Sequence, residues 1–210
     1  MESARVKILR RLHHALNIQN TLPYADICDD DNIFDPAPEQ LRLLFTEQFK
    51  NVGGHIVSCK DTTALITHFR QLIHTKDWKK LDCRDARLLH LFNQKKLTVF
   101  NQYSEASEGV SIAVTSCLQL IARTGSVVLS SVQAAGRQLS IAADIHIVVA
   151  FSSQLVYTIK EALIKIKERF DPIPSLITIT TGPSRTADIE KTLVMGAHGP
   201  KELYIFLIET

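Results

Sequence analysis

The sequence predicts an α/β fold: a largely parallel sheet with helices on both faces, preceded by a helical region. Three observations carry this. Residues 126–131 and 145–150 are compact runs of β-branched and apolar residues, as in strands buried on both faces. From Gly54 onward such runs alternate with helical stretches, the pattern of a parallel sheet with crossover helices. Several strands after Phe100 follow one another too closely for helical crossovers, so some pairing is antiparallel and the sheet is mixed.

Taken in order, residues 3–18 form a helix with Val6, Leu9, Leu12 and Leu16 on one face. Residues 26–35 are acidic and irregular, and Pro36 and Pro38 punctuate the chain. A second helix fits 39–51, with Leu41, Leu44, Phe45 and Phe49 as its apolar stripe. Gly53-Gly54 ends it, because glycine tolerates the left-handed conformation past a helix terminus. Residues 1–52 therefore read as an N-terminal helical arm, packed on the core or extending from it, and 53–210 as the α/β domain.

Within that domain, 55–59 is a strand and Asp61 caps a helix over 64–73. A helix fits 85–94, and strands fit 97–100 and 110–114, followed by the two buried runs. The helix over 156–169 carries Glu161 and Lys165 as an i,i+4 pair. Asp171-Pro172-Ile173-Pro174 breaks it. A strand over 176–180 leads into a Gly-Pro turn, a short helix from about Thr186, and a last strand over 203–208.

The formal net charge of +2 is small and the basic residues are dispersed, which argues against nucleic acid. No apolar run approaches the ~20 residues needed to span a bilayer. No signal-peptide core follows Met1-Glu2-Ser3-Ala4-Arg5-Val6, so a cytoplasmic protein is expected. The four cysteines, at 28, 59, 83 and 117, form no C-x-x-C pair, so neither a zinc site nor a cysteine-ligated cluster is expected in this chain. Phosphate-loop, dinucleotide-fingerprint, H-E-x-x-H and nucleophile-elbow motifs are absent.

The most informative segment is the turn after the 176–180 strand. Gly182 would let backbone approach a ligand, Pro183 would fix the bend, and Ser184 or Thr186 would cap the following helix, whose free amides favour an anion. Arg185 could add a bidentate grip on carboxylate or phosphate. Asp188 and Glu190 would lie in that helix's first turn, where they either act on a substrate or simply satisfy the helix dipole. Thr124, Gly125 and Ser126, just before a buried strand, form a second candidate contact, and Arg137 beside Gly136 a lesser one. His198, between Gly196 and Gly199-Pro200, could titrate near neutrality.

Thr181-Gly182-Pro183-Ser184-Arg185-Thr186-Ala187-Asp188-Ile189-Glu190, followed by Leu193-Val194-Met195-Gly196-Ala197-His198-Gly199-Pro200, resembles the C-terminal signature of the LUD family, in its lactate-utilization protein C branch. Thr124-Gly125-Ser126 and His146-Ile147-Val148-Val149 are similar to the family's middle motifs. The resemblance runs from about residue 110 to 209 and extends more weakly back to Gly54. It implies a three-layer architecture like that of the sugar-isomerase and coenzyme-A-transferase group. It also implies a role in oxidising L-lactate beside iron–sulfur partner subunits, with the clusters in those partners. This chain departs from the family pattern at Arg123 and at about Leu118, where acids are usual. Losing two carboxylates removes candidate general bases.

Two functional readings follow. In one, the chain is an accessory subunit that binds partners and an anionic small molecule. In the other, it is an enzyme acting on a small phosphorylated, carboxylated or acyl-coenzyme-A substrate, with Asp188, Glu190 and His198 as acid–base groups. The residues leave open whether the chain is catalytic.

Overall fold

The computed structural model describes residues 3–17, 37–78, 81–97, 100–101, 112–133, 139–189 and 192–209. Helices are α1 (Ala4–Leu16), α2 (Leu41–Asn51), α3 (Thr62–Lys76), α4 (Ala86–Gln94), α5 (Leu139–Ala142) and α6 (Ile159–Arg169). Strands are β1 (His55–Cys59), β2 (Leu81–Cys83), β3 (Phe100–Asn101), β4 (Ile112–Ser116), β5 (Gln119–Ile121), β6 (Ser126–Ser130), β7 (Ile145–Phe151), β8 (Leu155–Val156), β9 (Ile177–Thr180), β10 (Arg185–Ile189), β11 (Thr192–Met195) and β12 (Glu202–Ile208).

The chain divides into two units, Met1–Pro36 and Ala37–Thr210. In the first, α1 begins at Ser3, whose hydroxyl accepts a bond from the Val6 amide. The expected stripe of Val6, Leu9, Leu12 and Leu16 lies along this helix, exposed. In the second unit α2 is part of the α/β body: Phe45 and Phe49 stack on each other and are completely buried. Of the helical region expected over 1–52, α2 thus packs on the α/β core.

Six strands form the main sheet in the order β1-β12-β7-β4-β2-β3, every neighbouring pair parallel. The central strands show why buried runs predicted it. Along β12, Tyr204, Phe206 and Ile208 face one core with α3 and α4, while Leu203, Ile205 and Leu207 face another with α2. In β7, Ile147 and Val149 join the first core, and Val148 and Ala150 the second.

The antiparallel pairing expected after Phe100 exists, but not within this sheet. It belongs to a second sheet, ordered β8-β5-β6-β9, in which β5–β6 and β6–β9 are antiparallel and β5–β8 is parallel. Val127 and Leu129 turn from β6 toward the core shared with the main sheet, and Val128 turns outward beneath Ala162 and Ile166 of α6. The layers thus run from α3 and α4, through the main sheet, to α2 with the small sheet, and out to α6.

Two local readings change. The helix expected from Val156 starts at Ile159, capped by Thr158, because Leu155 and Val156 pair with β5. The short helix expected from Thr186 is not formed. The segment is the β10–β11 antiparallel hairpin, pairing Arg185 with Met195 and Thr186 with Val194. β-branched Thr186, Ile189, Thr192 and Val194 suit extended backbone better than a helix.

The α3 cap allows a simple check. The Asp61 carboxylate accepts the Ala64 amide at 2.7 Å. Asp61→Ala should cost about 1 kcal/mol in urea unfolding.

Candidate functional site

The glycine-containing turns singled out in the sequence do come together, but around α2. A Cβ on Gly125 would lie 2.5 Å from the Phe49 backbone nitrogen and 2.6 Å from the Gln48 carbonyl carbon. One on Gly182, at φ 74°, would lie 2.3 Å from the Val52 carbonyl oxygen. Arg185 Nη2 donates to that same carbonyl at 2.8 Å. A hydroxyl chain joins the two turns: Thr124 Oγ1 to Ser126 Oγ at 2.7 Å, and Ser126 Oγ to Thr181 Oγ1 at 2.8 Å. The close approach that glycine permits here is used by the C-terminal end of α2.

This corrects the basis of the anion site expected at Gly182, Pro183, Ser184, Arg185 and Thr186. No helix begins there to offer free amides, and Gly182 and Pro183 are buried. The Ser184 amide donates to the Pro200 carbonyl at 2.8 Å, and the Ser184 carbonyl accepts the Gly196 amide at 3.0 Å. Asp188 lies in β10 rather than in a helix's first turn, and His198 is exposed in the turn before β12. Glu190 and Arg137 lie outside the described residues.

A cleft of about 610 Å³ opens elsewhere, at the carboxyl ends of β4 and β7 and beside the first turn of α4. That is where parallel α/β sheets place ligands. Its polar heart is Asp85. This buried carboxylate caps α4, with Oδ1 accepting the Arg87 amide at 3.0 Å and the Leu88 amide at 3.4 Å. Oδ2 accepts the Ser116 hydroxyl at 2.7 Å. Arg87 Nε stands 3.6 Å from Oδ1. Burial alone would raise the Asp85 pKa. The Ser116 hydroxyl, the Arg87 amide and guanidinium and the Leu88 amide outweigh it and hold the carboxyl below its ordinary value.

Two glutamines complete the polar rim. Gln133 accepts the Ser130 amide at 2.9 Å and donates from Nε2 to Ser116 Oγ at 3.3 Å. Gln154 accepts the Phe151 amide at 2.7 Å and donates to the carbonyls of Cys117 and Leu118 at 2.7 and 3.2 Å. Leu118, where the resemblance would put an acid, is on the cleft wall. Arg169 and Phe170 close the other side, the guanidinium carbon 5.2 Å from the ring centre.

Sequence reasoning found Asp85 only as the start of a helix and did not find Gln133, Gln154 or Arg169. Ser116 stands two residues past the strand expected over 110–114, because β4 runs on to Ser116. The three described cysteines, Cys59, Cys83 and Cys117, are buried thiols. Burial pushes the Cys117 thiol, on the cleft wall, up to about 12, that of Cys83 to about 12, and that of Cys59, with help from Asp61, to about 11. Among the described residues no group of three or more His, Cys, Asp or Glu side chains is placed to hold a metal, and no helix is long and apolar enough to cross a membrane.

Comparison with known proteins bears on the family and the fold. The family model described as LUD domain matches residues 42–208, from α2 to the end of β12. Lactate utilization protein C of Geobacillus thermodenitrificans is 31% identical over 191 residues, 85% of this chain and 80% of that protein. The protein of the same name from Bacillus licheniformis is 36% identical over 108 residues, 50% of this chain but only 45% of its own length. A crystal structure of a DUF162 family protein from Deinococcus radiodurans shares the fold, with a TM-score of 0.62 at 17% identity over 82% of this chain and 99% of that one. With a family match that takes in both sheets and a relative aligned over four-fifths of its length, this chain belongs to the LUD domain family, in the branch of lactate utilization protein C.

Proposed function

We propose that this protein is an accessory subunit of an L-lactate oxidation system, binding an anionic small molecule in the cleft and docking with iron–sulfur partner subunits in the cytoplasm. The link to lactate comes from its relatives, named for lactate utilization. The accessory role rests on one observation about the cleft. Asp85, the one carboxylate among the described lining residues, has both oxygens bonded and its pKa held below the ordinary value, and Leu118 stands at about the place of an expected acid. A carboxylate so engaged is a weak general base, and the Ser116 hydroxyl beside it has no imidazole or amine to activate it among the described lining residues. Such a wall suits holding a ligand better than transforming it. The clusters that carry electrons would sit in the partners.

A deletion strain complemented with the tagged chain tests this. Growth on L-lactate should be restored, and the tagged protein should co-purify with polypeptides showing iron–sulfur absorption. Asp188→Asn should complement as well as the wild type. Capture of no such protein from lactate-grown cells would end the accessory reading. A folded Asp188→Asn chain that fails to complement would move the assignment to the enzymatic one.

A further inference from the structure

We propose that the cleft takes a carboxylate- or phosphate-bearing molecule considerably larger than lactate, its anionic group held by Arg87, Arg169 and Gln133 and its carbon skeleton laid along the apolar wall. This rests on the anion-binding reading above and specifies its ligand.

The charge balance of the cleft wall decides the sign of the ligand. The oxygens of Asp85 are engaged by two amides and the Ser116 hydroxyl. Ser116 has given its proton to Asp85 and accepts from Gln133. Gln154 is engaged at both ends, its oxygen by one amide and its nitrogen by two carbonyls. The side-chain amide of Gln133 has two N–H groups, and one described contact, to Ser116, uses one of them. The Arg87 side chain is 82% exposed and touches Asp85 only through a 3.6 Å approach of Nε. Arg169 lies against the Phe170 ring, an arrangement that leaves in-plane N–H groups able to donate. The charge balance of the wall is therefore positive: among the described lining residues two guanidiniums stand against one carboxylate, whose oxygens are already shared by two amides and a hydroxyl. A cationic ligand meets two guanidiniums and a carboxylate already in use, whereas a carboxylate or phosphate finds guanidinium donors on the cleft wall.

Volume and lining decide the size. About 610 Å³ falls within the range that encloses cofactor- or drug-sized molecules. Lactate, with six heavy atoms, would leave most of that space to water. Leu88, Leu91, Leu118, Val149, Phe151 and Phe170 would then face that water. A shallower groove of about 690 Å³ shares Val132, Arg169 and Phe170 with the cleft and continues past Ile173 and Pro174. An elongated molecule would pass Arg169 where the two meet.

Calorimetric titration with octanoate and octyl phosphate, against lactate, inorganic phosphate and octylamine, tests the assignment on the whole chain. At least one of the first two should bind at least tenfold more tightly than lactate or inorganic phosphate, and the one preferred tells carboxylate from phosphate. Octylamine should not compete. The double variant Arg87→Gln/Arg169→Gln, both at exposed positions, should lose at least tenfold in affinity with an unchanged melting temperature. Val132→Trp, at the junction of cleft and groove, should block octanoate in the same way. Octylamine binding as tightly as octanoate, lactate matching octanoate, indifference to the arginine replacements, or no binding by any anion would each overturn the proposal. If lactate and phosphate bind through the arginines but the octyl compounds gain nothing, only the ligand class fails. Loss of partner capture would instead strike the accessory reading.

Discussion

Gly182→Ala should destabilise the protein by roughly 2–5 kcal/mol and lower its melting temperature by about 10 °C. Two costs combine. The residue sits at φ 74°, where an L side chain costs roughly 1–2 kcal/mol. Its Cβ would also meet the Val52 carbonyl oxygen at 2.3 Å. That atom is backbone at the end of a helix whose Phe45 and Phe49 are locked in the core, so α2 itself must shift, an overpacking cost of roughly 1–3 kcal/mol. Gly53→Ala is the control. Its φ is 84° and its Cβ would meet an atom at the same 2.3 Å, but that atom is Nη2 of Arg185, the far end of a flexible side chain. Arg185 can swing away, losing its bond to Val52, so the same strain plus about 1 kcal/mol for that bond should bring the loss to roughly 2–3 kcal/mol, without the cost of moving α2. Urea melts of the two variants measure the difference. Equal losses would show that contact with α2 is not what makes Gly182 necessary.

Gly182 also marks the limit of what could be read from the chain. That a glycine stood where something approaches the backbone was legible, but not what approaches. Ligand and helix end impose the same demand on a Cβ, and only the fold shows that the visitor is Val52. The Thr186 segment failed for a related reason. Ser184 or Thr186 followed by Asp188 and Glu190 has the chemistry of a helix start, and a local signal of that kind gives way when a strand finds a partner. The main sheet was legible because β7 from Ile147 and β12 from Leu203 onward carry apolar residues on both faces. By contrast Leu81–Cys83 and Gln119–Ile121, three residues each, are too short to show any period, and Gln119–Ile121 opens the small sheet that the sequence did not reveal. The cleft was hidden most deeply. Asp85, Ser116, Gln133 and Gln154 come from four separate turns or strand ends, gathered only by the parallel pairing of β2, β4 and β7.

Acid should weaken the fold through His146, by roughly 3 kcal/mol between pH 6.5 and pH 4. The residue is buried on the β7 face that also carries Val148 and Ala150, and its Nε2 lies 2.8 Å from Thr115 Oγ1. Burial, which disfavours the imidazolium, lowers its pKa from 6.5 to about 4. Above pH 6.5 both the folded and unfolded chains hold it neutral, so it contributes no pH dependence. Below 6.5 the unfolded chain takes up a proton that the folded chain refuses until about pH 4, and stability falls across that interval. At 1.36 kcal/mol per unit the interval gives roughly 3 kcal/mol. Asp85 and Glu202, whose carboxyls are held below their ordinary values, add losses of their own at the acid end, so the histidine must be isolated by substitution. His146→Gln keeps a hydrogen-bonding partner for Thr115 and cannot titrate. Its unfolding free energy should trail the wild type at pH 7 and close most of that gap, or pass it, by pH 4. Parallel stability curves for the two chains from pH 7 to 4 would mean that His146 takes up its proton equally in both states, which a fully buried imidazole facing one hydroxyl cannot do.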